Sequence, residues 1–422
     1  MFHVESESME STQQSSGVSP QSSIASVPGF RVAGVHAGLK KEGALDMALI
    51  VSDRPCVAAG VFTRNLVKAA PVVFDQQVLA RRGNAIRAVV INARNANAVT
   101  GEQGLRDAAE MARLTAEVLE LPEEAGVFVM STGVIGVPLP METIARGIRL
   151  ATETLAADEA AGLAAARAIM TTDTVPKLVG STVQLGGRTV TIAGMAKGAG
   201  MIHPDMATML SVIATDAVID GPALQAALQF AVERSFNSIT VDGDTSTNDT
   251  VLLLANGAAG HAEIRGDGDD FVAFRDALLA VCQGLARLVA RDGEGATTFV
   301  TIEVRGAGSF EDARQIGRTI ATSPLVKTAI FGRDANWGRV LAAAGRAGVP
   351  FDPARSSLWF GELQLLRDGT PLGVDEARAL EILSQPEVTI TLELDPDGTG
   401  AATVWTCDFS FDYVSINAEY RT

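Results

Sequence analysis

Histidine and cysteine are scarce in this sequence, which contains four His and three Cys. None of them has the spacing of a metal site, so a zinc enzyme is not indicated. Cys56, Cys282 and Cys407 are odd in number and far apart, a pattern that does not build a disulfide framework. A reducing compartment is therefore expected, and we predict a cytoplasmic protein.

Long apolar runs and an excess of positive charge are also missing. No stretch of about 18 consecutive apolar residues occurs, so no membrane span is predicted. The 34 Lys and Arg are outnumbered by 50 Asp and Glu, which argues against a nucleic-acid partner because such proteins need clustered cations. Residues 1–27 are rich in Ser, Gln and Glu and lack the basic and apolar regions of a signal peptide. A disordered tail is predicted there.

What remains is an ordinary globular composition, with 47% hydrophobic and 20% charged residues over 422 positions. Helical and strand-like patterns alternate along the chain and indicate the α/β or α+β class. On one helix, at 102–121, the buried face is predicted to include Leu105, Ala108 and Ala112. The patterns predict strands at 45–51, 88–92, 127–130, 251–254 and 299–304, a hairpin at 181–193 turning at Gly186-Gly187, and helices at 141–156, from Asp220, at 269–290 and at 337–346.

One stretch, residues 194–217, stands out. Three glycines surround Lys197, and an apolar run follows Pro204. The P-loop spacing is absent, so a phosphate cradle is not predicted. Between the two halves lies Ala207-Thr208. Thr is β-branched and stiff at χ1, which suits a hydroxyl nucleophile held by the backbone, although most Thr residues in such a position only pack.

Several long motifs in this chain closely resemble those of the ornithine acetyltransferase (ArgJ) family of arginine biosynthesis. The resemblance extends from about Gly29 to the last residue. It rests on Ser-Thr-Gly-Val-Ile-Gly at 131–136, Thr-Thr-Asp-Thr at 171–174, the stretch 197–217, the acidic run 239–249 and Ile-Asn-Ala-Glu-Tyr-Arg-Thr at 416–422. Position 421, an Arg, departs from the commonest family ending, Tyr-Thr-Thr.

The resemblance implies a layered α-β-β-α core over residues 28–290 and a smaller C-terminal α/β domain over 291–422. It also implies self-cleavage between Ala207 and Thr208, giving an α chain and a β chain. The new N-terminal amine of Thr208 would then serve as the base for its own hydroxyl, because such an amine is partly neutral near neutral pH.

Further site residues follow from the same resemblance. Thr132 and Gly133 are expected to stabilise the oxyanion, and substrate contacts are expected from Thr171, Lys197, Thr208, Glu294, Asn417 and Thr422. From the residues alone, each has another explanation: a plain turn, a solvated lysine, an exposed turn carboxylate or a frayed chain end. Thr172 is an alternative to Thr171.

The loop 242–249 is acidic and could suggest a calcium site. An EF-hand needs Gly at its sixth position and Glu at its twelfth, where this chain has Thr247 and Leu253. A turn held by side-chain hydrogen bonds is the preferred interpretation. No metal or cofactor is predicted at any site.

The activity implied by the resemblance is acetyl transfer from N2-acetyl-L-ornithine to L-glutamate through an ester on Thr208. Use of acetyl-CoA as a second acetyl donor is left open. Three alternatives also remain: a self-cleaving aminopeptidase-type hydrolase, a binding protein that kept the fold, and a secondary-metabolism relative with the same chemistry. An assembly of two α and two β chains is expected.

Overall fold

Strands and helices alternate along the chain in a computed structural model that describes residues 18–20, 22–41, 43–203 and 209–419. The strands up to residue 291 are β1 (Val18–Pro20), β2 (Phe30–Val35), β3 (Met47–Phe62), β4 (Ile86–Asn92), β5 (Gly126–Ser131), β6 (Lys177–Leu185), β7 (Arg188–Lys197), β8 (Leu210–Thr215) and β9 (Thr250–Ala255). The helices of the same part are α1 (Ala70–Arg82), α2 (Gly101–Val118), α3 (Met141–Glu153), α4 (Glu159–Ala168), α5 (Gly221–Glu233) and α6 (Gly268–Arg291).

The chain beyond α6 forms a second group of elements. In order these are β10 (Phe299–Ala307), α7 (Phe310–Ala321), α8 (Pro324–Phe331), α9 (Trp337–Gly345), β11 (Ser357–Phe360), β12 (Leu363–Arg367), β13 (Thr370–Pro371), α10 (Glu376–Leu383), β14 (Glu387–Glu393), β15 (Gly400–Cys407) and α11 (Phe411–Glu419). Among the described residues, no helix is both long and apolar enough to cross a membrane.

The long strand β3 divides the main sheet into two halves. The sheet has nine strands in the order β1-β6-β7-β8-β9-β3-β4-β5, with β2 also paired to β3. Residues 47–51 of β3 pair with β2 and β4, whereas residues 57–62 pair with β9. The register shifts between Val51 and Cys56, which lets the strand bend from one half into the other.

The two halves pack face to face and are covered by helices on their outer sides. The inner layer contains Ile50, Val89 and Met130 from one half and Met195, Val212 and Leu252 from the other. Helices α5 and α6 cover the β6–β9 half through Leu224, Leu228, Phe274, Leu278 and Leu285. Helices α2 and α3 cover the β4–β5 half through Met111, Ile144 and Ile148. The predicted α-β-β-α layering is therefore confirmed.

The C-terminal elements build a second sheet, in the order β13-β12-β11-β14-β10-β15. Its own apolar cluster packs against α7 and α9. Strand β15 also contributes Trp405 and Cys407 to the core beneath α6, so this sheet lies against the larger layer. The boundary at residue 290 stays a prediction.

Local sequence signals predicted several elements correctly. The hairpin β6–β7 turns at Gly186 and Gly187, both with positive φ, and the Asp220 side chain caps α5 by accepting from the Ala223 N–H. The buried face predicted for the 102–121 helix was partly wrong, because Leu105 is 41% exposed. The buried positions there include Gly104, where an added Cβ would collide with the Thr100 and Asn97 side chains of the preceding loop.

The predicted tail over residues 1–27 is too long. Residues 1–17 lie outside the described residues, but β1 pairs with β6. Ile24 and Val27 are each 1% exposed and belong to the inner apolar layer. The Ser-rich composition concealed these few apolar side chains, which are sufficient to anchor the segment.

Candidate active site

Four strand ends lie in one row at an edge of the main sheet. Lys197, the last residue of β7, pairs with Leu210, the first of β8. Leu210 pairs in turn with Thr250, the first of β9, and Thr250 pairs with Phe62, the last of β3. Residues just beyond this row are therefore brought side by side, whatever their separation in sequence.

Three hydrogen bonds connect this edge with the other half of the sheet, two at the end of β5 and one in the loop after β4. Lys197 Nζ donates to Thr132 Oγ1 at 3.4 Å. Asn248 Nδ2 donates to the carbonyl oxygens of Ser131 and Ala96 at 2.8 and 2.7 Å. Both halves of the layered core thus contribute to a single polar site.

Thr132 and Gly133 form a tight turn directly after β5. The Thr132 N–H is used, because it donates to the Asn92 carbonyl at 3.1 Å, whereas the Gly133 N–H has no acceptor among the described residues. Gly133 has φ of 133°, and a Cβ there would lie 2.1 Å from the Arg94 carbonyl carbon. Only glycine fits this turn. Within the described ranges, the Thr132 hydroxyl and the Gly133 amide are the donors of the pair that have no acceptor.

A buried carboxylate, Asp173, connects the other segments of the site. Its Oδ1 accepts from the Gly198 N–H and from Lys177 Nζ, each at 2.6 Å, and its Oδ2 accepts from the Thr171 N–H at 3.0 Å. Lys177 Nζ also pairs with Asp292 Oδ2 at 2.6 Å. The Lys177 and Asp173 side chains are fully buried, so each needs the other to offset the loss of hydration.

Charges at the site shift the pKa of neighbouring groups. Burial lowers the pKa of Lys197, which is 2% exposed; Asp173 and Glu294 counteract this shift, whereas Lys177 adds to it. Burial alone would raise the pKa of Asp173, but Lys197, Lys177 and the Gly198 N–H hold it well below its ordinary range. Asp173 is therefore an anion, and it supports a positive charge on Lys197.

Glu294 reaches the site from the turn that follows α6. Its N–H donates to the Ala199 carbonyl at 2.9 Å, and its Oε2 accepts from Asn417 Nδ2 at 2.8 Å. Asn417 belongs to the C-terminal helix α11. The C-terminal end of the chain was predicted to contribute to the site, and its helix α11 does contact Glu294, a second predicted site residue.

These side chains surround a pocket of about 130 Å³. Six residues with predicted roles line it, namely Thr132, Gly133, Thr171, Lys197, Glu294 and Asn417, and so does the alternative Thr172. Ala207, Thr208 and Thr422, the other three predicted site residues, lie outside the described residues. The structure therefore brings together every predicted site residue that it describes, while their individual roles stay predictions.

The loop 242–249 also lines the pocket, which the sequence interpretation did not anticipate. It is held by side-chain hydrogen bonds as predicted, including one from the Asp244 N–H to Asp242 Oδ1 at 3.2 Å. Asp242 also accepts from the N–H groups of Met201 and Ile202, and burial raises its pKa to about 6. One feature of the sequence could have indicated this role: the acidic loop comes immediately before a buried strand, β9.

Known proteins are similar to this chain over most of its length. The ArgJ family profile matches residues 31–422. An arginine biosynthesis bifunctional protein ArgJ of Symbiobacterium thermophilum is 54% identical over 397 residues, covering 93% of this chain and 97% of that protein. The mitochondrial ArgJ of Yarrowia lipolytica is 48% identical over 406 residues, covering 93% and 94%. A solved Mycobacterium tuberculosis ornithine acetyltransferase in complex with ornithine is 39% identical, with a TM-score of 0.41, over 46% of this chain and 100% of that one.

An α-β-β-α core with a charged pocket at one sheet edge defines this protein as a layered α/β enzyme. Within that class, the chain belongs to the ArgJ family, as the profile match over residues 31–422 shows.

Proposed function

We propose that this protein transfers an acetyl group from N2-acetyl-L-ornithine to L-glutamate through an acetyl ester on Thr208. The observation that carries the proposal is the meeting of Lys197, Thr132 and Gly133 in one pocket, at the sheet edge where β8 begins. Membership of the ArgJ family and the names of its relatives support the same reaction.

Maturation comes first, because an internal Thr has no free amine. The Thr208 hydroxyl attacks the Ala207 carbonyl, and the peptide C–N bond breaks to give an ester and a free α-amine. Water then opens the ester, which leaves a carboxylate on Ala207 and a free hydroxyl on Thr208. A free α-amine ordinarily has a pKa of about 8, so the new amine can act as a base.

In the transfer, the Thr208 hydroxyl attacks the acetyl carbonyl while its own amine takes the hydroxyl proton. The tetrahedral oxyanion receives hydrogen bonds from the Thr132 hydroxyl and the Gly133 N–H, the two donors left free by the turn. The C–N bond then breaks, and the ornithine amine leaves with the proton. The glutamate amine attacks the ester by the reverse sequence, which restores the Thr208 hydroxyl.

The charged groups of the pocket match the charged groups of the substrates. Lys197 is suited to a substrate carboxylate, because burial strengthens its interaction with an anion. Glu294, held by Asn417, is suited to the side-chain ammonium of ornithine. Thr171 and Thr422 complete the proposed substrate contacts.

The chemistry needs no resident metal or cofactor, since the nucleophile, base and oxyanion donors are all protein groups. Acetyl-CoA is a second proposed acetyl donor, in keeping with the word "bifunctional" in the relatives' names. We also propose an assembly of two α and two β chains, and a cytoplasmic location.

The test has two parts. Intact mass under denaturing conditions should show two fragments, with Thr208 at a new N-terminus, and Thr208→Ala should remain one chain. Ornithine release from acetylornithine should then depend on glutamate. Equal release without glutamate would identify a hydrolase. An uncut wild type that behaves like Thr208→Ala would identify a binding protein.

A further inference from the structure

A buried carboxyl that has no part in the steps above, Asp249, lies in the middle of the row of strand ends. It directly precedes β9 and is 0% exposed. Its Oδ1 accepts from the Met209 N–H at 3.0 Å, and its main-chain carbonyl accepts from the Thr63 N–H at 2.9 Å. The Thr250 N–H donates to the Met209 carbonyl at 3.1 Å. Met209 is thus held on both of its peptide groups, once by a side chain and once by the main chain.

The second oxygen of Asp249 takes no part in holding Met209, whose N–H donates to Oδ1. Oδ2 is buried and has no hydrogen-bond partner among the residues that the structure describes. Burial raises the pKa of Asp249 well above its ordinary value, and the nearby Lys197 charge only partly opposes this. Holding one N–H does not require a titratable group, and an unsatisfied buried polar group with a strongly shifted pKa beside a candidate pocket calls for an explanation.

We propose that Asp249 is a positioning residue of the acetyl-transfer site and acts through the main-chain N–H of Met209. This inference rests on the function proposed above. Thr208 lies outside the described residues, but it is joined to Met209 by one peptide bond, and the N–H of that bond is the group that Asp249 holds. Because a peptide unit is planar, restraining this N–H restrains the unit through which the nucleophile is attached to β8.

The chain contains a matched control in Asp75. This residue on α1 is also 0% exposed, its Oδ1 accepts from the Val129 N–H at 2.8 Å, and its buried Oδ2 has no partner in the described part of the chain. Val129 belongs to β5, the last strand in the sheet order, so Asp75 satisfies an N–H at the open edge of the sheet. Asp75 does not line the candidate pocket. The two carboxyls share their local chemistry and differ in location.

The experiment compares Asp249→Ala and Asp249→Asn with Asp75→Ala and Asp75→Asn. Intact mass shows whether the chain is cleaved between Ala207 and Thr208, and the rate of ornithine release gives kcat and KM. For Asp249→Ala we expect kcat to fall about 100-fold, the scale of a misplaced reacting group, with KM changed by less than about threefold. Asp249→Asn keeps an acceptor for the Met209 N–H and should recover kcat to within about tenfold of wild type. Both Asp75 variants should keep the wild-type kcat while lowering Tm.

Two outcomes would overturn the inference. If Asp249→Ala keeps the wild-type kcat, as Asp75→Ala should, then Asp249 is only structural. If Asp249→Asn is as inactive as Asp249→Ala, then Asp249 acts through its proton or charge. If Asp249→Ala remains uncleaved while Asp249→Asn is fully cleaved, the result would support a positioning role, because self-cleavage uses the same Thr208 hydroxyl as the transfer.

A second measurement does not depend on Asp249→Ala folding or on the proposed reaction. Exchange of the Met209 amide hydrogen should be slow in the wild type and in Asp249→Asn. Rapid exchange in the wild type would show that Asp249 does not hold the Met209 N–H. If the wild type releases no ornithine at all, the proposed function fails, while the exchange result still reports on the contact.

Discussion

The carboxylate of Glu294 occupies the space that a side chain on Gly200 would take. A Cβ at Gly200 would lie 2.3 Å from the carboxylate carbon. The glycine-rich segment around Lys197 therefore has a packing function, because the absence of a side chain at Gly200 lets a charged group from the far end of α6 reach the pocket.

Gly200→Ala should displace the Glu294 carboxylate and weaken its contact with Asn417. A hydrogen bond to a charged group contributes about 1.5–3 kcal/mol, so kcat/KM for acetylornithine should fall by about 10- to 100-fold. The matched control is Gly266→Ala, where an added Cβ has no heavy atom within 4 Å. Equal kinetics for the two variants would rule out this role of Gly200.

Replacement of Thr132 tests the oxyanion site. Thr132→Val removes the hydroxyl but keeps the β-branched shape, and loss of one such donor costs roughly 3–4 kcal/mol of transition-state stabilisation. We expect kcat to fall by about 10²- to 10³-fold. Thr132→Ser, which keeps the hydroxyl, should retain most of the activity. A Thr132→Val enzyme as active as Thr132→Ser would argue against a catalytic hydroxyl at this position.

Lys177 should matter for stability, because it joins two carboxylates in the interior. Lys177→Met leaves Asp173 and Asp292 close together without their shared cation, and breaking such a buried pair costs about 3–5 kcal/mol. Urea unfolding should show this loss in the free energy of unfolding. Lys41→Met, at an exposed position, is the control and should change it by less than about 0.5 kcal/mol.

Asp75 should make the stability of the protein depend on pH. Burial raises the pKa of Asp75 well above its ordinary value. At a pH between the unfolded-state pKa of about 3.9 and the folded-state pKa, the folded protein therefore binds more protons than the unfolded chain. The free energy of unfolding contributed by this group therefore falls as the pH rises through that range. Unfolding measured from pH 4 upward should show a weaker decline in Asp75→Asn. An unchanged decline would contradict the assignment, and the exposed Glu123→Gln serves as the reference.

Local chemistry explains the elements that could be predicted. Gly186 and Gly187 accept the positive φ angles of a hairpin turn wherever the hairpin packs, and Asp220 caps its helix through atoms three residues apart. The buried face predicted for α2 was partly wrong because periodicity alone does not tell which side is covered: Leu105 was assigned to the core but is exposed, whereas Gly104 is buried against the preceding loop.

By itself, the sequence determined the local elements and, through its long motifs, the family and six residues that now line one pocket. It contained no signal that Asp249 holds Met209, forty positions away, or that Gly200 leaves room for Glu294. Only the tertiary structure decided these relationships. The reason is physical: burial, shifted pKa values and close approach depend on which distant segments pack together, and strand register sets that packing over the whole sheet.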